Sequence, residues 1–157
     1  APGLDRSFAA QRWKNMDSKL WLEAGDEAMD KEFHGHYDIW GGDIDPAAVE
    51  LAKHNAELAG VEDCIRFEVA DAGKFHRDSE YGQLVTNPPY GERLLEKKEA
   101  EELYRVFGAA LRDLPPKWRV LVLSSHTEFE RCFGRTADKK RKLYNGMIKC
   151  DVFMYGR

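Results

Sequence analysis

Two proline pairs, Pro88-Pro89 and Pro115-Pro116, fix how the second half of this chain can fold. Proline has no backbone donor and a locked φ, so neither a central strand nor a helix interior runs through such a pair. Between the pairs lies the clearest helical pattern in the chain, with Ala100, Leu103, Tyr104, Phe107, Ala110, Leu111 and Leu114 recurring at three- and four-residue steps. Ahead of the first pair, Gln83 to Asn87 reads as a short strand. Behind the second, Arg119 to Ser124 holds the unbroken apolar run Val120-Leu121-Val122-Leu123, which suits a central parallel strand.

The same alternation runs through the rest of the chain. Asp17 or Ser18 caps a helix carrying Leu20, Trp21, Ala24, Ala28, Met29 and Phe33, with Gly35 as its stop. Tyr37 to Asp43 is a short strand entering a turn, and Asp45-Pro46 starts a helix with Asp as N-cap and Pro at the first helical position. That helix, Pro46 to Ala59, lines Ala48, Leu51, Ala52, Asn55, Ala56 and Ala59 along one face, and Gly60 ends it. Cys64 to Val69 alternates apolar and charged residues, as a half-exposed edge strand does. Thr127 and Glu130 predict a capping box for a short helix ending at Gly134. Lys139 to Tyr144 and Met147 to Tyr155 flank Asn145-Gly146, a strong two-residue hairpin signal. Strands alternating with helices and closed by a hairpin predict a twisted α/β sheet, with residues 1–157 forming one domain or most of one.

With 43% hydrophobic and 11% aromatic residues, the 157-residue chain falls outside the disordered, collagenous and low-complexity classes. Mean hydropathy is −0.62, and no apolar run approaches the ~18 residues of a membrane span. The start, Ala-Pro-Gly without a basic-then-apolar leader, predicts a piece of something longer. A net charge of −4 excludes a uniformly cationic nucleic-acid binder. Yet residues 131–149 hold seven basic side chains against one acid, Asp138. These suit contacts to phosphates, and equally the lysines that guard an edge strand against aggregation. Cys64, Cys132 and Cys150 form no C-x-x-C pair, which predicts a reduced, cytoplasmic protein with neither disulfides nor a metal site.

Open α/β sheets bind ligands at the carboxyl ends of their strands, and three ends here carry distinctive polar residues. The first reads Gly41-Gly42-Asp43-Ile44-Asp45, where a carboxylate can accept two ribose hydroxyls; the plainer reading makes Asp43 a turn residue and Asp45 a cap. The second ends at Asp71-Ala72, where a carboxylate can accept from an adenine amine or simply sit in a solvated loop. The third, Asn87-Pro88-Pro89-Tyr90, is more specific. Its prolines make a rigid turn whose carbonyls point outward. The lone pair of a base amine is delocalised, and two acceptors, the Asn side-chain oxygen and a Pro carbonyl, can grip both amine hydrogens and turn that lone pair toward an electrophile. Tyr90 would stack on the flipped base.

With the fuller strings NPPYGERL and KKRKLYNGMIKC and the opening APGLDRSFA, the chain resembles the bacterial ribosomal RNA guanine-N2 methyltransferase family (RlmL-like, often labelled N6-adenine-specific DNA methylases). The resemblance implies a Rossmann-like, S-adenosylmethionine-dependent catalytic domain behind an RNA-binding THUMP-type region. It implies Asp43 and Ile44 at the cofactor ribose, Asp71 and Ala72 at its adenine, and Asn87, Pro88, Pro89 and Tyr90 as the amine clamp, with Asn87 also beside the cofactor. One element of that pattern is absent: no G-x-G-like cofactor loop occurs, so a strand central to the sheet is expected to be missing on the N-terminal side. Adenine-N6 methylation of DNA and a non-catalytic RNA-binding module are the competing expectations. His34-x-His36 lacks a third ligand and reads as surface, and Ser124-Ser125-His126 lacks a nucleophile elbow and reads as cleft lining.

Overall fold

The structure, a computed structural model, describes residues 6–33, 35–91 and 94–156. His34, the first five residues of the opening string and Glu92-Arg93 of NPPYGERL lie outside the described residues. The chain forms two units, residues 1–38 and 39–157.

In the first unit a helix, α1 (Ser18–Asp30), starts where Asp17 Oδ1 accepts the Lys19 N–H at 2.9 Å. The Phe8 ring stacks on Trp21 with centroids 5.6 Å apart. The helix stops at Asp30 rather than at Gly35. Lys31 N–H turns back to Glu27 and Glu32 N–H to Met29, which tightens the last turn. Gly35 serves another end: a Cβ there would lie 2.1 Å from the Phe33 ring.

The second unit runs β1 (Ile39–Asp43), α2 (Pro46–Leu58), β2 (Ile65–Val69), β3 (Tyr81–Thr86), α3 (Leu94–Ala110), β4 (Lys117–Ser124), α4 (Phe129–Phe133), β5 (Lys139–Asn145) and β6 (Ile148–Tyr155). The strands form two sheets. β1 and β2 pair in parallel, from Ile39 opposite Ile65 to Asp43 opposite Val69. The larger sheet has the order β3-β4-β6-β5, with β3 parallel to β4 and the other pairs antiparallel. Among the described residues β1 pairs only with β2 and β3 only with β4, so each keeps an unpaired edge.

Local chemistry explains the element boundaries. Asp45 caps α2 by accepting the Ala47 N–H at 2.9 Å, and Gly60 supplies the left-handed stop at φ +64°. The buried face of α2 is Val49 and Ala56, whereas Leu51, expected inside, is 60% exposed. The expected capping box does not form, because Glu130 is used elsewhere. Its carboxylate accepts Ala137 N–H and Lys140 Nζ, both at 2.8 Å, tying α4 to the start of β5. The Lys140 hydrogen bond, with smaller help from Ala137, holds that carboxyl below its ordinary range. The N–H of Glu128, the residue before α4, donates instead to His126 Nδ1 at 3.1 Å. Gly134 does end the helix, at φ +77°. The hairpin loop is Gly146-Met147 rather than Asn145-Gly146, since Asn145 pairs with Ile148 and Gly146 takes the positive φ, +61°.

The core sits where α3 and α4 cover β4 and β6. Tyr104, Phe107, Phe129, Phe133, Val122, Phe153 and Tyr155 are all buried there. Ring centroids stand 4.5 Å apart for Phe129 and Phe153, and 4.9 Å for Tyr104 and Phe129. The two helices approach so closely at Gly108 that a Cβ would meet the Phe133 carbonyl oxygen at 2.0 Å. Gly108→Ala, which stabilises an ordinary exposed helix, is therefore expected to destabilise this chain by about 1–3 kcal/mol through overpacking. Thermal unfolding checks the sign: a raised midpoint would contradict the contact.

Candidate active site

Two clefts open at the carboxyl ends of the strands. The larger, about 630 Å³, lies between the unpaired edges of β1 and β3. Trp40, Gly41 and Gly42 line one side, Leu84 to Thr86 the other, and Asp71, Ala72 and Phe75 the loop after β2. Its volume falls within the ~300–1,000 Å³ of small-molecule sites. The smaller cleft, about 340 Å³, is lined by Pro89, Tyr90, Gly91, Glu96 and Glu99. A further cavity of about 280 Å³ involves Arg112, Gly134 and Arg135 and includes none of the strand-end residues.

Both strand-end carboxylates are half committed to their own backbone. Asp43 Oδ1 accepts the Asp45 N–H at 2.9 Å, and Asp71 Oδ1 accepts the Gly73 N–H at 2.8 Å, opening a 3-10 turn over Ala72–Lys74. Each fixed carboxyl has a second oxygen available to a hydroxyl or amine. Asp71 and Ala72 line the larger cleft. Asp43 and Asn87 each directly follow a lining residue, Gly42 and Thr86, without lining it themselves. Ile44 is 69% exposed. The two glycines differ in role: a Cβ on Gly41 would strike the Phe67 ring at 2.8 Å, whereas one on Gly42 would meet only ordinary contacts beginning at 3.6 Å. Gly41 is thus required by packing, and Gly42 faces no such constraint.

The turn after β3 is held from two sides. From beneath, the fully buried Tyr104 donates its hydroxyl to the Pro89 carbonyl at 2.5 Å. Ser124 Oγ lies 3.4 Å from the Tyr104 hydroxyl and accepts the His126 N–H at 3.1 Å. Burial lifts the Tyr104 hydroxyl above its ordinary range, so it stays protonated and able to donate. From the side, Asn145 at the hairpin end donates its side-chain amide to the Tyr90 hydroxyl at 3.3 Å. Burial raises the Tyr90 hydroxyl too, against the opposing pull of the Asn145 and Asn87 side chains.

Asn87 to Tyr90, Asp43 and Asp71, expected from the sequence, lie in or beside these clefts, whereas Tyr104 and Asn145, which hold the turn, were not expected there. Tyr104 lies in an apolar helical stripe and reads as core; the missed signal was that a buried tyrosine hydroxyl needs a partner. Arg77 was missed as well. Its guanidinium lies 4.3 Å over the Trp40 ring and donates to Glu68 at 3.0 Å, joining β1 and β2 beside the cleft. Ser124 and His126 do sit at a strand end as expected, but buried behind the Asn87–Tyr90 turn.

Parallel β1-β2 and β3-β4 pairs, an antiparallel β6-β5 hairpin, a cleft at the strand ends and an Asn-Pro-Pro-Tyr turn beside it make the Rossmann-like architecture of methyltransferases. The family model "UPF0020: RMKL-like, methyltransferase domain" matches residues 1–153, and the chain belongs to that family. YpsC of Bacillus subtilis (strain 168), whose name assigns it provisionally to the RNA methyltransferases, is 43% identical over 99% of this chain and 40% of its own length. The ribosomal RNA large subunit methyltransferase K/L of Shewanella baltica (strain OS185) is 39% identical over 99% of this chain and 23% of its own. The crystal structure of SMU.472 complexed with SAH shares 39% identity at a TM-score of 0.90, covering 99% of this chain and 42% of that one. The chain thus spans well under half the length of the relatives it matches.

Removing only the hydroxyl tests the anchor without disturbing the ring. Tyr104→Phe is expected to cost about 1 kcal/mol of stability, the usual worth of one hydrogen bond. Hydrogen exchange at the Tyr90 and Gly91 amides is expected to speed up while the amides of β4 stay protected. Unchanged exchange at both would mean that the turn is rigid without the tyrosine.

Proposed function

We propose that this chain carries the amine clamp and the nucleoside half of the cofactor site of a cytoplasmic, S-adenosylmethionine-dependent methyltransferase acting on guanine N2 of ribosomal RNA. The observation that carries the reading is the Asn87–Tyr90 turn, anchored by Tyr104 at the carboxyl end of β3 beside a cleft of nucleoside size. Family membership supports it, as do the SAH bound to SMU.472 and the ribosomal RNA activity in the K/L relative's name.

The residues present fit half of such a cofactor. The spare oxygen of Asp43, with Ile44 alongside, suits ribose hydroxyls, and that of Asp71, beside Ala72, suits the adenine amine. The cofactor supplies an electrophilic methyl group carried on a sulfonium. Asn87 borders the same cleft and offers its side-chain oxygen to one hydrogen of the target amine. Pro89's carbonyl already gives one lone pair to Tyr104, so the second acceptor of the pair is assigned to Pro88's carbonyl. Together they turn the amine lone pair outward and stabilise the positive charge that grows on nitrogen. Tyr90 stacks on the extruded base. The roles need no metal.

Two further parts of the reading concern the parent protein. The length of its relatives leaves room for a THUMP-type RNA-binding region. The open edges of β1 and β3 leave room for one parallel strand, and a glycine-rich turn after it would cradle the cofactor's amino-acid half.

In the intact parent, Asn87→Ala is expected to slow methyl transfer by ~100-fold or more with cofactor affinity nearly unchanged, while Asp43→Ala weakens cofactor binding by about 1–3 kcal/mol. Single-turnover rates on unmodified ribosomal RNA and calorimetry separate the two; the reverse pattern would exchange the roles. The 157-residue chain alone is expected to bind S-adenosylmethionine very weakly and to transfer no methyl group. Micromolar binding by the isolated chain would show that its site is complete.

A further inference from the structure

The hairpin overhangs the sheet. β4 ends at Ser124, opposite Asp151, so residues 148–150 of β6 and their partners Leu143, Tyr144 and Asn145 continue without a third strand. Three residue pairs at ~3.4 Å each project the loop about 10 Å past the carboxyl edge of the sheet. A two-stranded ribbon is marginal in water by itself. This one also exposes apolar surface at its tip: Met147 is 98% exposed, Tyr144 72%, Leu143 44% and Ile148 37%.

The cations of β5 divide by face. Paired residues of an antiparallel ladder share a face, and faces alternate along the strand. On one face Lys140 meets Glu130, and Lys142 lies opposite Asp151. On the other, Lys139 and Arg141 lie opposite Met154 and Val152, without an ion pair among the described residues. That second face continues through Leu143 to Asn145, whose amide holds the Tyr90 hydroxyl. Uncompensated positive charge in a chain of net charge −4 therefore leads along one face of an exposed strand to the proposed base-stacking residue.

We propose that this hairpin is the docking platform for the RNA substrate. Lys139 and Arg141 hold the backbone phosphates on the approach to Tyr90, and the overhanging tip enters the RNA at the target nucleotide. Met147 fills the space left in the base stack, as apolar wedges do when a base is extruded. Asn145 then fixes Tyr90 where the extruded base arrives. The proposal rests on the reading of the chain as part of an RNA methyltransferase.

The test uses the full-length parent protein and ribosomal RNA prepared from a strain lacking its gene, either folded or fragmented to short unstructured pieces. Duplex DNA is the control. Thermal melts and S-adenosylmethionine calorimetry of every variant should match wild type, since all the substituted side chains are exposed. Met147→Asp is expected to lower kcat/KM on folded RNA by at least ~10-fold and on fragmented RNA by much less, because no base has to be pushed out there. K139Q combined with R141Q is expected to reduce the slope of log affinity against log salt by between one and two. Wild-type rates for Met147→Asp on folded RNA, equal losses on both RNAs, or an unchanged salt slope would each overturn the proposal. So would a lowered melting point or weakened cofactor binding in these variants, which would place the hairpin against another part of the parent protein. Wild-type activity on duplex DNA and none on RNA would instead overturn the RNA reading itself.

Discussion

A tyrosine hydroxyl buried in an aromatic core needs an acceptor, and Tyr104 finds one in the Pro89 carbonyl. That bond joins the part of the molecule with the least freedom to the part with the most exacting geometry. Its ring packs on Phe129, which packs on Phe153, so the hydroxyl's position is set by α3, α4 and β6 together. The proline pair cannot brace itself, because neither residue has a backbone N–H with which to bond to the sheet. A turn of that kind is rigid in φ but anchored only through its carbonyls. The core supplies one such anchor from below, and Asn145 supplies a side-chain bond at Tyr90 from the hairpin.

The larger features of the fold were legible because they rest on local rules that nothing in the tertiary structure opposes. Asp45-Pro46 begins α2 as an N-cap followed by proline should, and the two proline pairs bracket α3. The Asn87–Tyr90 turn falls at the strand end where the pattern put it. Errors arose where a residue had two possible partners. Thr127 and Glu130 have capping-box spacing, but the Glu130 carboxylate gains a backbone donor, Ala137, and a cation, Lys140, seven and ten residues away. Those partners lie beyond the end of the helix, outside the capping-box pattern. The hairpin slipped by one residue for a related reason: with Gly146 first in the loop, Asn145 stays in the ladder.

The proposed site residues were legible in proportion to how far their chemistry is written in their neighbours. Asn87 is flanked by prolines and an aromatic, a local context with few structural uses. Tyr104 and Asn145 have ordinary contexts, a helix stripe and a turn, and their roles come from contacts 15 and 55 residues away in sequence. Asp43 and Asp71 fall between these cases. Each was assigned either to turn formation or to ligand binding, and the geometry lets one side chain do both. One oxygen fixes the carboxyl against its own loop, and the other remains for a ligand. A carboxylate held in that way loses little side-chain entropy when it binds, because the entropy was already lost on folding.

The open edges of the two sheets put the same economy on a larger scale. Parallel strands pair slightly less well than antiparallel ones and are normally buried on both faces, so an open parallel edge is an unusual thing to leave in a fold. Among the described residues β1 and β3 both leave one, and the larger cleft lies between them. Trp40 and Arg77 cross one side of it, and Leu84 to Thr86 form the other. The carboxylates and the Asn-Pro-Pro-Tyr turn are already in place at its carboxyl end, held by bonds that do not involve the gap. A strand entering this gap would therefore complete the ladder without having to build the proposed nucleoside and amine sites. On the proposed function, its own contribution reduces to donors for the carboxylate of the cofactor's amino-acid tail.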